Sequence, residues 1–586
     1  MLQAKTNGKV LLSKNALKVL ESRYLKRNTF GKVTETPLEM FQRVSKAVAQ
    51  AELCWGSNTD VKVWEEKFYR MLTALHFLPN SPTLMNAGLS APQLSACFVL
   101  PVEDHLKDIF SSLKLAALVQ KSGGGTGFNF SHLRPKNDLL IHTQGQASGP
   151  VAFMKIFNTA TTYIKQGGKR RGANMGILNI DHPDIEEFIC CKRRENAFTN
   201  FNISIGIYDH FMNALQVDGD WLLIHPRTGA ITKVVKAKHL WNLIIENAWS
   251  GGDPGLIFLD TINQFNPTPS LGTIEATNPC GEVPLLPYEA CNLGSINVAA
   301  FIKQKKFDWP ALEQTVILAT RFLDNVIEAS EFPSLRIKNM VKGNRKIGLG
   351  VMGWAEALSK LEIPYDSNHA VETGRTLMRF IAEKSLTASY MLARERGPFT
   401  NWQKHASNQH IPVRNATRTC IAPTGTISIL ANTSSSIEPY FALAYRRQHI
   451  LEGSTLYESN NTLLEYLKQK HIDPAGVISH IEKTGTLRGM KSIPSSVKAL
   501  FKTAPEIHPS WHLKHQKAFQ EFTDNAVSKT INLPQKAKPS DVHDIYFSAW
   551  EMKLKGITIF RLNSRKKQVL DSGIKSDVKS CKVCIE

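Results

Sequence analysis

Carboxylates are the scarce charge in this 586-residue chain: 51 Asp and Glu face 71 Lys and Arg, leaving a formal charge of +20. That balance favours anionic partners, nucleotides or nucleic acids, through long-range attraction, without choosing between them. Cysteine is sparse too. Nine residues, odd in number and unevenly placed, do not make a secreted disulfide framework and suit a reducing cytoplasm better. No apolar core follows Met1-Leu2-Gln3-Ala4-Lys5, so no signal peptide is expected. The longest uncharged run, residues 419 to 437, has membrane length but contains Pro423, Gly425 and many hydroxyl side chains, unlike a spanning helix. No internal repeat is visible, which excludes solenoids and propellers. There is no Walker A motif, and the glycine run Lys121-Ser122-Gly123-Gly124-Gly125-Thr126-Gly127 lacks GxGxxG spacing and follows a helix-like stretch.

What is present is ordinary for a soluble globular protein, 42% hydrophobic and 21% charged, with length enough for a large core. Ala16, Leu17, Leu20, Met40, Phe41, Val44 and Val48 recur at helical spacing, so residues 1–75 read as a helical N-terminal region. From 76 to 564 helical stretches alternate with short apolar segments rich in Gly and Pro, the pattern of an α/β body. One helix is expected near 312–329, with Val316, Ala319, Phe322, Leu323 and Val326 on one face, and another near 373–395, ending at Gly397-Pro398. Residues 565–586 are Lys- and Ser-rich and read as a flexible tail ending in Cys581-Lys582-Val583-Cys584.

The densest chemistry lies at Asn278-Pro279-Cys280-Gly281-Glu282, an amide, a thiol and a carboxylate at alternate positions. Pro279 and Gly281 disfavour a helix, and in an extended segment the three groups would face one target. A lone cysteine is most often an inert core thiol, but the flanking amide and base argue for chemistry. Pro423-Thr424-Gly425-Thr426-Ile427-Ser428 offers backbone N–H groups and hydroxyls suited to phosphate oxygens if a helix follows, although an ordinary turn would look the same. The CxxC of Cys581 and Cys584 suits thiol exchange better than metal, because a zinc site needs four ligands and no second CxxC exists.

Together with Asn80-Ser81-Pro82-Thr83-Leu84, Ser95-Ala96-Cys97-Phe98 and Pro287-Tyr288-Glu289-Ala290-Cys291-Asn292, these segments resemble the ribonucleotide reductases, above all the adenosylcobalamin-dependent class II enzymes, over nearly the whole chain. The resemblance implies a ten-stranded α/β barrel of two antiparallel halves of five parallel strands, with a central finger loop and a helical N-terminal cap. It implies that Cys280 is the thiyl radical, Glu282 the general base and Asn278 a holder of the substrate hydroxyls. It assigns Cys97 and Cys291 to a redox-active disulfide, and Cys581 and Cys584 to a C-terminal relay served by a thioredoxin- or glutaredoxin-type reductant. Substrate contacts would come from Ser81, Thr83, Ala96, Gly124, Gly125 and residues Pro423, Thr424, Gly425, Thr426, Ile427 and Ser428. Asp104, Arg134, Lys169 and Arg170 match positions for dNTP or ATP effectors. Cys54, Cys190, Cys191 and Cys420 receive no role.

The family's radical sources can be separated in the same terms. Class I enzymes use adjacent tyrosines near the end of the large subunit, where this chain has Phe560-Arg561. A glycyl-radical loop is missing and the N-terminal stretch is short for an ATP cone, which leaves adenosylcobalamin. Asp541-Val542-His543 begins like a DxHxxG cobalamin motif, but Tyr546 replaces the glycine, and the match is taken as chance. The expected protein is therefore a cytoplasmic enzyme, a homodimer without membrane or nucleic-acid partners, that reduces ribonucleotides, diphosphates in preference to triphosphates, with no directly bound metal beyond the cobalt of the cofactor. The competing readings are a class I large subunit and a basic nucleic-acid-binding protein.

Overall fold

A computed structural model describes residues 10–573 apart from 91, 141–143, 167–169, 403–410, 452–453 and 565–569. Lys169, Cys581 and Cys584 lie outside the described residues, as does the side chain of Arg170.

The N-terminal region is helical, and its helices start where side chains can satisfy free N–H groups. Ser13 caps α1 (Lys14–Arg23), Thr36 and Glu39 box the start of α2 (Pro37–Ala49), and Ser57 with Asp60 does the same for α3 (Asn58–Thr73). Ala16, Leu20, Met40, Phe41, Val44 and Val48 are buried as their spacing predicts, whereas Leu17 falls on the outer face.

Ten segments then close a barrel. The first half is five parallel strands, β1 (Cys97–Val99), β2 (Gly125–Asn129), β3 (Asn174–Asn179), β4 (Phe201–Ile207) and β5 (Gly255–Phe258). In the second half β6 (Ala290–Asn297) pairs in parallel with β7 (Ile347–Met352), and β8 (Thr530–Leu533) pairs in parallel with β9 (Gly556–Arg561). Between β7 and β8 runs the tenth segment, residues 419–421, joined by parallel bridges from Leu349 to Thr419 and from Ile421 to Val527. The halves meet antiparallel at β1–β6 and at β5–β9, which completes the ring. A short strand, Phe77–Pro79, adds to the end of β6. Strands of this kind are covered on both faces, and β3, β6 and β7 are accordingly buried at every position.

The two long helices outside the barrel begin earlier than periodicity alone indicates. Asp308 caps α4 (Trp309–Ala329) with Pro310 in its first turn, and Ser367 caps α5 (Asn368–Arg396), which ends at Gly397 with φ +82°. A buried charge cluster fastens these helices together: Arg396 bonds both Glu52 and Asp324, and Arg345 bonds Asp324 at 2.8 Å. Burial would raise the Asp324 carboxyl, but Arg345, Arg414 and Arg396 hold it at about 2.

Candidate active site

Inside the ring, Ala276–Thr277 and Pro284–Leu285 pair antiparallel as the two sides of a finger. Ala276, Val283 and Leu285 share one buried cluster with Cys97, Met175 and Cys291 from the barrel wall, so the finger is the filling of the barrel. Glycine makes the room. A Cβ on Gly127 would stand 1.7 Å from the Thr277 carbonyl oxygen, and one on Gly125 would stand 2.8 Å from the Pro279 ring. Asn202 of β4 donates to the Pro279 carbonyl at 2.7 Å, Asn129 donates to that of Glu275 at 3.0 Å, and the Ala526 N–H donates to that of Glu282 at 2.9 Å. Because backbone would have to move, Gly127→Ala is expected to displace the finger and to lower turnover by about 10²-fold, the scale of an ångström-sized misplacement. The check is steady-state kinetics together with a melting curve.

The extended geometry expected for 278–282 is not what forms. Pro279 and Gly281 favour chain reversal as much as they oppose helix, and the Gly281 N–H closes a turn on the Asn278 carbonyl at 3.1 Å, with φ of Gly281 at +81°. Asn278 and Glu282 therefore sit buried at the base of the turn, 2% exposed each, while Cys280 is exposed at its tip. The tip lines a cavity of about 1040 Å³.

Around the finger the thiols converge. Cys97 and Cys291 are direct cross-strand partners where the two halves of the barrel meet, a register that places Cα atoms about 4.5–5.5 Å apart and within disulfide range. Both are buried thiols here. Burial pushes both well above the ordinary thiol range, with Glu282 and the other thiols adding to the rise at Cys97, while Lys346 beside Cys291 opposes it there. Asn278 Nδ2 donates to Cys97 Sγ at 3.1 Å, and Asn278 Oδ1 accepts from Val283 N–H at 3.0 Å, fixing the amide's orientation. Burial raises the Glu282 carboxyl to about 7, against a hydrogen bond from Asn278, and its Oε2 has no hydrogen-bond partner among the described residues. A carboxylate poised near neutrality with one oxygen open is equipped to take a proton.

The other predicted contacts divide. Pro423, Gly425 and Ser428 line the cavity, and the helix that follows them is a single turn, Ile427–Leu430. Thr424 accepts the Ser436 N–H at 2.7 Å and so holds the loop's shape, with φ +52°. Ala96 donates its N–H to the Cys291 carbonyl, and Gly124 leaves space for Phe98 and Val119. Thr83 is fully buried, its hydroxyl bonded to Asn80 and the Leu94 carbonyl, so it shapes the segment that presents Ser81. Asp104 and Arg134 meet each other, at 2.8 Å. Sequence reasoning missed Asn202 and also the Lys529–Glu438 pair on the cavity wall; neither lies in a local pattern, and only strand register brings them here.

A closed ring of two antiparallel five-stranded halves around a finger with an exposed thiol at its tip is the architecture of a barrel enzyme. The model of the ribonucleotide reductase barrel domain matches residues 95–413 and 406–560, and that of the family's all-alpha domain matches residues 10–92. The chain belongs to the ribonucleotide reductase family. It is 47% identical, over 96% of its length and 80% of the relative's, to a vitamin B12-dependent ribonucleoside-diphosphate reductase of Thermoplasma acidophilum. It is 46% identical, over 96% of its length and 81% of the relative's, to a protein of the same description from Mycobacterium tuberculosis. The class Id ribonucleotide reductase alpha subunit of Actinobacillus ureae superposes with a TM-score of 0.76 at 25% identity, covering 94% of this chain and 97% of that one.

Proposed function

We propose that this chain reduces ribonucleotides, diphosphates in preference to triphosphates, to 2′-deoxyribonucleotides by thiyl-radical chemistry that depends on adenosylcobalamin. The observation that carries the reading is the cross-strand pairing of Cys97 with Cys291 beneath a finger that exposes Cys280 and buries Glu282. Cys280 as a thiyl takes the 3′ hydrogen, Glu282 takes the 3′-hydroxyl proton, and Asn278 orients the hydroxyls. Cys97 and Cys291 give two electrons and two protons and become a disulfide; the 2′-hydroxyl leaves as water, and the 3′ hydrogen returns as the Cys280 thiyl is restored. When bound, adenosylcobalamin supplies the oxidising radical.

The cavity exceeds the roughly 300–1,000 Å³ of ordinary small-molecule sites, so it has room beyond a nucleotide. Gly251, Gly252, Gly255 and Ile557, with Asp253 among them, line the part of the cavity that would hold the cofactor. The class I alternative finds Phe560-Arg561 where it needs adjacent tyrosines: Phe560 lines the cavity, and Arg561 is bonded to the Trp249 carbonyl at 2.9 Å. Anaerobic incubation of the lone polypeptide with adenosylcobalamin, a small dithiol and each nucleotide tests the reading; no deoxynucleotide from any of them sinks it.

The C-terminal relay is supported by where the chain leaves the described fold. Leu570–Ser572 adds as a third strand to the hairpin of Ala444–Leu451 and Ser454–Ser459, whose Tyr445 and Glu458 line the cavity, and Gly573 donates to the Ala444 carbonyl at 2.9 Å. Cys581 follows eight residues later, and eight extended residues span up to about 26–29 Å, enough to re-enter the cavity. Cys581→Ser and Cys584→Ser are expected to cut thioredoxin-supported turnover at least tenfold and leave small-dithiol-supported turnover intact. Equal loss with both reductants argues against a relay.

No described helix is long and apolar enough to cross a membrane. The helices Leu106–Lys121 and Pro150–Tyr163 expose Leu106, Phe110, Ile156 and Tyr163, apolar surface suited to a second copy of the chain, and Asp104, two residues before the first helix, pairs with Arg134 where effector nucleotides are expected.

A further inference from the structure

The loop of residues 423–428 contains no charged side chain, yet a nucleoside diphosphate brings two to three negative charges to whatever binds its phosphates. Backbone N–H groups and hydroxyls alone leave that charge uncompensated in a partly enclosed site. A guanidinium meets the loop from four hundred residues away in sequence, at the end of α1. Arg23 Nη1 donates to Thr426 Oγ1 at 3.3 Å, and the next residue, Tyr24, is buried with its hydroxyl 2.8 Å from Ser81 Oγ. One dipeptide thus touches two segments that the sequence assigns to substrate.

The placement is braced from both sides. Val19 and Leu20 of α1 are buried in the same core as Ile427, Ile429 and Leu430, so the helix lies on the single turn that follows the loop. Arg43, paired with Glu35 at 2.7 Å, bonds the Ala87 carbonyl at the end of helix Ser81–Asn86 and reaches the Tyr24 carbonyl at 3.5 Å. Among the described residues that line the cavity itself, the cations are Lys529, bonded to Glu438, and Lys14, at the start of α1, whereas Arg23 reaches the loop from the other end of that helix.

We propose that Arg23 is a specificity-determining residue for the substrate's phosphates: its guanidinium, steered by Thr426, neutralises the diphosphate held over residues 423–428, and Tyr24 ties that contact to Ser81. The inference rests on the reading of 423–428 as the phosphate loop. A planar fork suits phosphate oxygens better than an ammonium does, so Lys should replace Arg only in part.

The test uses the full chain and measures dissociation constants for one base as the nucleoside, mono-, di- and triphosphate. Arg23→Gln is expected to weaken diphosphate binding at least tenfold and nucleoside binding less than twofold, with Arg23→Lys between, and to raise KM while kcat holds. Wild-type diphosphate affinity should fall with added salt, and the Gln variant should show a shallower slope. Equal weakening of nucleoside and diphosphate, or no weakening of either, overturns the proposal, and a melting curve for each variant separates a folding loss from a binding loss. Thr426→Val and Ser428→Ala serve as the control on the loop. If they leave the phosphate dependence untouched, the loop reading has failed; if they reduce it while the Arg23 variants do not, only the role of Arg23 has.

Discussion

Cys280→Ser is expected to abolish deoxynucleotide formation, a loss of about 10⁴-fold or more, the scale of removing the group that carries the chemistry. Nucleotide binding should be unchanged, because the thiol stands at the tip of a turn whose shape is fixed by Pro279, Gly281 and the Asn278 carbonyl, none of which the substitution touches. A serine hydroxyl is nearly isosteric, but its O–H bond is too strong for its oxygen radical to be generated and returned in each turnover. Equilibrium binding and turnover measured on the same preparation check both halves of the statement. Turnover above one hundredth of wild type would remove Cys280 from the mechanism.

Glu282→Gln should cost between about 10² and 10⁴ in kcat, the usual range for a general base. Its pH dependence carries more information. Burial holds the carboxyl at about 7, so the wild-type rate should rise with pH through neutrality as Glu282 ionises, and the Gln variant should lack that limb. Stability should run the other way. The folded pKa lies above the ordinary 4.5, so the stabilising contribution of the protonated carboxyl is complete below about 4.5 and is lost as pH rises through about 7. Denaturant titrations at pH 5 and pH 8 should show a smaller decline for the variant than for wild type. A rate profile flat across neutrality in the wild type would count against Glu282 as base.

Parts of this site were legible from residue types alone. The Asn278-to-Glu282 run carries an uncommon combination of groups, whereas the cysteine motifs and the loop at 423 became legible only through the resemblance of the whole set, in order, to the family. The local shape of the finger tip was not legible. Pro279 and Gly281 exclude a helix equally well whether the chain extends or reverses, and what selects reversal is the packing of Thr277 and Pro279 onto Gly127 and Gly125. Long-range partners were beyond reach for a different reason. Arg23 and Thr426, or Asn202 and Pro279, are joined by no periodicity, and a polar side chain in isolation gives no hint of which distant atom it will meet.

The sequence by itself determined which atoms are available: one thiol between an amide and a carboxylate, further cysteines whose pairing only the family resemblance implied, and an uncharged turn rich in hydroxyls. Composition and motif order sufficed for that because they fix chemical identity. Tertiary structure decided which of those atoms act together. Register at the seam between the two half-barrels sets Cys97 against Cys291, and burial inside the closed ring moves the Glu282 carboxyl toward neutrality. Distance and dielectric belong to the folded chain alone, because both depend on residues hundreds of positions apart.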